Sequence, residues 1–149
     1  MLITCCRPIV ALIMLFGLMA CSEPVVMIPG GKLAGEVVAS PAEWSNVPET
    51  IQVEMQSAKP YSINIWSVGN GEDLYIATGE SGTRWSKILE SGDTEVRVRF
   101  DTTIFELKAS KVTDSDEREV VNQAYIAKYD LDTEGDWVET GRIFRLDRR

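Results

Sequence analysis

Tyr61-Ser62-Ile63-Asn64-Ile65-Trp66-Ser67-Val68-Gly69-Asn70-Gly71 is the stretch on which the fold turns. Its side chains alternate, and both faces carry large apolar residues: Ile63 and Ile65 on one, Trp66 and Val68 on the other. A strand that is apolar on both faces must be covered on both, as in a barrel wall with a core inside and another element outside. Gly69-Asn70-Gly71 is a tight-turn signal, and Leu74 to Thr78 reads as the returning partner strand.

On either side of this hairpin the period of two continues. Ile51, Val53 and Met55 alternate with Gln52 and Glu54, which predicts a half-buried strand with a polar outer face. Val96, Val98 and Phe100 alternate with Glu95, Arg97 and Arg99 in the same way. A turn at Asp101-Thr102-Thr103 leads to a strand carrying Phe105, Leu107 and Ala109, and Trp137 to Leu146, interrupted at Gly141, reads as a final strand or hairpin. Helical spacing occurs twice. Thr83 to Glu90 sets Trp85, Ile88 and Leu89 on one side, and Thr113 to about Tyr129 carries a stripe of Val121, Ala124 and Tyr125. Thr113-x-x-Asp116 has the spacing of a capping box, with Asp114, Asp116 and Glu117 at the positive end of that helix.

The first 20 residues differ from the rest. Arg7 is their single charge, Pro8 to Ala20 is almost wholly apolar, and small Ala20 precedes Cys21. That is the layout of a secretory signal, and the apolar run is shorter than the roughly 20 residues of a membrane-spanning helix. Leu18-Met19-Ala20-Cys21 resembles the lipobox of bacterial lipoproteins. The resemblance implies a diacylglyceryl group on the Cys21 thiol, cleavage just before it, and an acylated new amino terminus. Ser22 after that cysteine, rather than Asp, implies export to the outer membrane, with the domain facing the periplasm. The expected organisation is therefore a signal at 1–20, a tether rich in Pro and Gly at 21–32, and one domain at 33–149.

Removing Arg7 from the 15 basic residues leaves 14 against 23 acidic ones, a net charge of −9. Such a surface repels nucleic acid. With no histidine in the chain and with Cys21 as the one cysteine after Cys5 and Cys6, the mature domain has no disulfide, no thiolate nucleophile and no Ser/His/Asp triad. Asp130-x-Asp132-x-Glu134-Gly135-Asp136 has the alternating oxygen ligands of a calcium loop, but the twelfth position is Gly141 instead of a bidentate Glu, so an acidic surface loop is the expectation. Trp44, Trp66, Trp85 and Trp137 are expected in the core or capping the barrel, and Arg142, Arg145, Arg148 and Arg149 as solvated strand-edge charge.

The order of elements, mainly β with two helices, resembles the split β-barrel of the pyridoxamine-phosphate-oxidase-like superfamily, which binds FMN. Within it the sequence is similar to a group of small proteins called DUF2255. The residues that carry this are Lys59-Pro60 leading into Ile65-Trp66-Ser67-Val68, then Asp73-Leu74-Tyr75-Ile76 and Ser81-Gly82-Thr83-Arg84-Trp85, with Ala124 to Tyr129 and Phe144-Arg145-Leu146 beyond. The resemblance implies a groove for FMN, or in some branches deazaflavin or haem, commonly formed at a homodimer interface. It places the phosphate at the loop and short helix after the central hairpin, here with Arg84, Lys87, Ser81, Thr83 and Lys59 as candidates. The chemistry suits an anion: Gly79 and Gly82 allow close backbone approach, a helix start offers amides, Arg84 grips phosphate in a bidentate way, and Lys87 adds a point charge one turn on. Glu80 opposes it. Two functions follow, a non-catalytic binding or structural module of the envelope and a flavin-dependent oxidoreductase-like protein.

Overall fold

A computed structural model describes residues 30–55, 58–132 and 140–149, so the signal, Cys21, Trp137 and most of the acidic loop lie outside the described residues. The elements are β1 (Glu36–Val38), β2 (Thr50–Met55), β3 (Tyr61–Asn70), β4 (Asp73–Thr78), α1 (Arg84–Glu90), β5 (Glu95–Phe100), β6 (Thr103–Lys111), α2 (Ser115–Tyr129) and β7 (Arg142–Arg148).

Antiparallel neighbours run β6–β5–β2–β3–β4–β7, and β7 returns to pair with β6, which closes a six-stranded barrel. Closure requires β6 to be shared. Its second half, Leu107 to Lys111, pairs with β7, while Thr103 to Phe105 pairs in parallel with the added β1. β3 is likewise divided. Tyr61 to Trp66 pairs with β2, but pairing to β4 begins only at Ser67, so the wall opens between the first half of β3 and the end of β4.

The period of two read in the sequence is the barrel's inside and outside. Ile51, Val53, Met55, Leu74, Ile76, Val96, Val98, Leu107, Phe144 and Leu146 fill the interior. At one end α1 lays Trp85 and Leu89 into that interior, Trp85 edge-on to Phe144. Trp44, from the β1–β2 loop, plugs the other end, edge-on to Phe100 and Phe105 at centroid distances of 5.8 and 5.2 Å. Gly69 is needed beneath it, since a methyl at that position would lie 1.9 Å from the Trp44 carbonyl oxygen. A second cluster forms outside the wall, where Val121 and Tyr125 of α2 cover Val68, Tyr75, Ala77 and Ile143. This is the outer cover that the doubly apolar β3 requires.

The start of α2 falls one residue from the expected capping box. Asp114 is the cap, and its carboxylate accepts the Glu117 N–H at 2.9 Å; Thr113 does not serve because the helix begins at Ser115. A larger correction concerns the polar faces of β2 and β5. Residues 30–36 run across the outside of the wall as a strap, and Glu54 and Arg97 are buried beneath it rather than solvated. Gly30, read from the sequence as tether, exchanges both backbone hydrogen bonds with Ser62. The Leu33 N–H donates to Glu54 Oε2 at 2.5 Å, and Arg97 donates to both Glu54 Oε2 (3.1 Å) and the Leu33 carbonyl (3.0 Å). Arg99 holds the Ala34 carbonyl, and the Glu36 N–H reaches the Thr102 carbonyl at the far side.

Candidate functional site

The loop 79–83 begins where β4 leaves the wall, so it stands at the mouth of the opening beside β3. Gly82 has a left-handed backbone (φ +67) and donates to the Gly79 carbonyl at 2.9 Å, which folds the loop back on itself. Thr83 caps α1 with help from Ser86, whose buried hydroxyl accepts the Thr83 N–H (2.9 Å) and donates to the Thr83 carbonyl (3.0 Å). Arg84 then projects outward and lays its guanidinium on the Tyr61 ring, 4.4 Å from the centroid, so one cation joins the two sides of the opening. Lys87, one turn on, is exposed, as are Ser81 and Lys59; Thr83 is half-buried. Lys59 lies two residues before Tyr61 in the turn that feeds β3, and Glu80 is exposed on the loop.

Arg142, read from the sequence as solvated strand-edge charge, is part of this loop. Its guanidinium covers Gly82 so closely that a methyl there would lie 2.8 Å from it, and its Nε donates to the Glu80 carbonyl at 3.1 Å. It also pairs with Glu90, which a second cation, Lys111, holds at 2.8 Å. The Lys111 hydrogen bond, with Arg142 beside it, keeps the Glu90 carboxyl below the usual carboxylate range. The space that Gly82 leaves for close approach of a ligand is thus filled by the chain's own guanidinium. α1 has only seven residues, which limits the dipole it can present. Of the candidates named from the sequence, Arg84, Lys87, Ser81 and Lys59 are exposed, and among the described residues Arg84 has no ion pair.

The other perturbed groups fasten α2 to the wall. Lys128 donates to three carbonyls, those of Val47, Pro48 and Ser67, and burial lowers its affinity for a proton. Burial pushes the Tyr129 hydroxyl up to about 12 while it bridges the Ser67 carbonyl and the Glu49 carbonyl. Tyr75 is raised by burial and by its hydrogen bond to Glu117, which Arg145 holds at 2.7 Å. Trp66, expected in the core or capping the barrel, does neither: it is 44% exposed and stacks on Tyr129 of α2 at 4.5 Å, outside the wall. A cavity of about 380 Å³ lies at the opposite barrel end, lined by Trp44, Val47, Phe100 and Phe105 with Glu43 and Ser45 at its rim. Among the described residues no group of three or more acidic, Cys or His side chains could hold a metal ion, and no helix is long and apolar enough to cross a membrane. The calcium reading falls largely on residues outside the described ones.

Solved structures share this architecture. A candidate 5-nitroimidazole antibiotic resistance protein of Bacteroides thetaiotaomicron superposes with a TM-score of 0.54 at 13% identity, over 67% of this chain and 72% of the other. A candidate pyridoxamine 5'-phosphate oxidase of Listeria innocua gives 0.52 at 15% identity, over 66% and 82%. An FAD-binding protein of Mesorhizobium loti gives 0.51 at 11% identity, over 69% and 83%. No protein-family model and no curated protein matches the sequence. At these identities the likeness is one of fold, and it does not reach the DUF2255 group.

Proposed function

We propose that this chain, which has the fold of the FMN-binding split β-barrels (a closed six-stranded antiparallel barrel with two helices), is a lipid-anchored protein of the bacterial envelope whose barrel acts as a non-catalytic binding or structural module. The observation that carries this reading is Arg142 on Gly82: the loop that would cradle a cofactor phosphate is closed by the chain's own guanidinium. The perturbed tyrosines and Lys128 support it too, because each is engaged in fastening helix to wall rather than facing an open cleft. The anchor is diacylglycerol on Cys21, the destination the outer membrane, and the domain hangs in the periplasm.

A second reading is favoured by one observation, the exposed Arg84 without an ion pair among the described residues. In it, Arg84, Lys87, Ser81 and Lys59 hold the phosphate of FMN at the rim, in a homodimer, and the flavin supplies redox chemistry that this chain's side chains lack. The visible spectrum of the protein purified from its own envelope separates the two. A colourless protein supports the module; a flavin band near the protein in stoichiometric amount supports the second reading.

A further inference from the structure

The cavity at the Trp44 end of the barrel stands apart from the loop 79–83. Its volume of about 380 Å³ suits a small molecule. Its floor is aromatic. Trp44, Phe100 and Phe105 meet edge-on at centroid distances of 5.2 to 5.8 Å, so each ring sets the tilt of the other two. Trp44 and Phe105 are buried, and Phe100, only half-buried, is the ring with surface to spare. Val47 adds an aliphatic side.

The charge at this cavity has one sign. Among the described residues that line it, Glu43 carries the only charge, and no Lys or Arg pairs with it. Ser45 donates to Glu43 Oε2 at 3.1 Å, which ties one carboxylate oxygen to the rim and leaves the other without a partner among the described residues. Two cations touch the same loop, and both are spent on its backbone. Lys128 donates to the Val47 and Pro48 carbonyls, and Arg148 to the Ala42 carbonyl while it pairs with Glu72. With the Trp44 N–H on the Gly71 carbonyl, these bonds pin the loop on both sides of Trp44, so the cavity exists before anything enters it.

An aromatic floor beside a single carboxylate is complementary to an organic cation. A ring face attracts positive charge through its quadrupole and a carboxylate attracts it directly, whereas an anion is repelled by both. A neutral molecule would gain the floor but give Glu43 nothing in exchange for the water it displaces. We propose that this cavity binds a small organic ammonium ion, its apolar body against Phe100 and Val47 and its charge at Glu43. The site does not depend on what the loop 79–83 takes, so it stands whether the protein is colourless or yellow.

Benzylammonium, benzyl alcohol and benzoate share a ring and differ in charge, which makes them probes for the sign of the site. Each is titrated into the full chain in detergent micelles while the Trp44 indole N–H and Ser45 amide resonances are followed. Trp44 Nε1 is buried with no hydrogen-bond partner among the described residues, so its resonance responds to a neighbour that enters. Benzylammonium should shift both resonances saturably, about fivefold more tightly than benzyl alcohol, with benzoate inert. Glu43→Gln, an exchange at an exposed side chain, should bring benzylammonium down to the affinity of benzyl alcohol. No saturable shift with benzylammonium, equal affinities for it and benzyl alcohol, or wild-type affinity in Glu43→Gln overturns the inference. An apparent affinity that falls as protein concentration rises overturns it too, by placing a second copy over the cavity.

Discussion

Glu54 and Arg97 stand directly opposite each other on β2 and β5, their charges 3.1 Å apart on the outside of the barrel, sealed by the backbone of Leu33. A charge pair this enclosed is costly to break, because the surviving partner stays buried without its counter-charge. Glu54→Ala should therefore lower stability by about 3–5 kcal/mol in urea unfolding. Replacing both members, Glu54→Leu with Arg97→Leu, should recover most of the loss. A single variant within about 0.5 kcal/mol of wild type would show the strap to be a loose surface segment instead.

The plug at the other end of the barrel makes a prediction about two glycines. Gly69 touches the Trp44 backbone, and Gly79 faces open space with nothing within 4 Å of a methyl. Gly69→Ala should cost roughly 1–3 kcal/mol as the Trp44 loop is forced away. Gly79→Ala should leave stability unchanged or raise it by up to about 1 kcal/mol through the unfolded chain. Thermal unfolding of both variants checks the contrast.

Alkaline pH should loosen α2. Tyr129 ionises near 10 when unfolded and at about 12 in the fold, where burial disfavours the phenolate. A raised folded value means that its stabilisation is whole below pH 10 and is lost as pH rises through 12. Stability should fall across that window, and the fall should be shallower in Tyr129→Phe. Tyr75 and Tyr125, also raised by burial, keep the variant's slope from vanishing. A slope between pH 10 and 12 identical to wild type would count against the burial of Tyr129.

The proposed anchoring rests on one atom, the Cys21 sulfur. Cys21→Ser should abolish incorporation of a fatty-acid probe and leave the signal uncut, since a hydroxyl is a far poorer nucleophile than a thiol. Equal labelling of variant and wild type would remove the anchor from the account.

The barrel was legible in the sequence because its walls repeat with period two and its covering helices with period near 3.6, and β3 announced an outer layer through Trp66 and Val68. What the sequence hid lies in contacts between distant segments. Glu54 and Arg97 read as solvated because alternation reports only the wall, not a strap from residues 30–36 laid over it. Arg142 sits 60 residues from Gly82 in the chain, and no local pattern signals that its guanidinium fills the glycine's space. Tyr61 could have been suspected as a platform for a cation, standing next to Pro60 with Lys59 before it, but its partner Arg84 comes from another element. The loop motif Ser81 to Lys87 shows what residues are available, and only packing shows that one side of it is already taken.

The module reading stands or falls on whether this loop takes FMN. Flavin fluorescence is followed as FMN is titrated into the purified protein and into Arg84→Ala, with thermal unfolding of each mixture alongside. The account predicts a colourless protein, no saturable quenching, and no rise in Tm on adding FMN for either protein. It would be contradicted by a saturable titration of the wild type that Arg84→Ala weakens by about tenfold to a hundredfold, the loss expected when one charged hydrogen bond to a phosphate is removed.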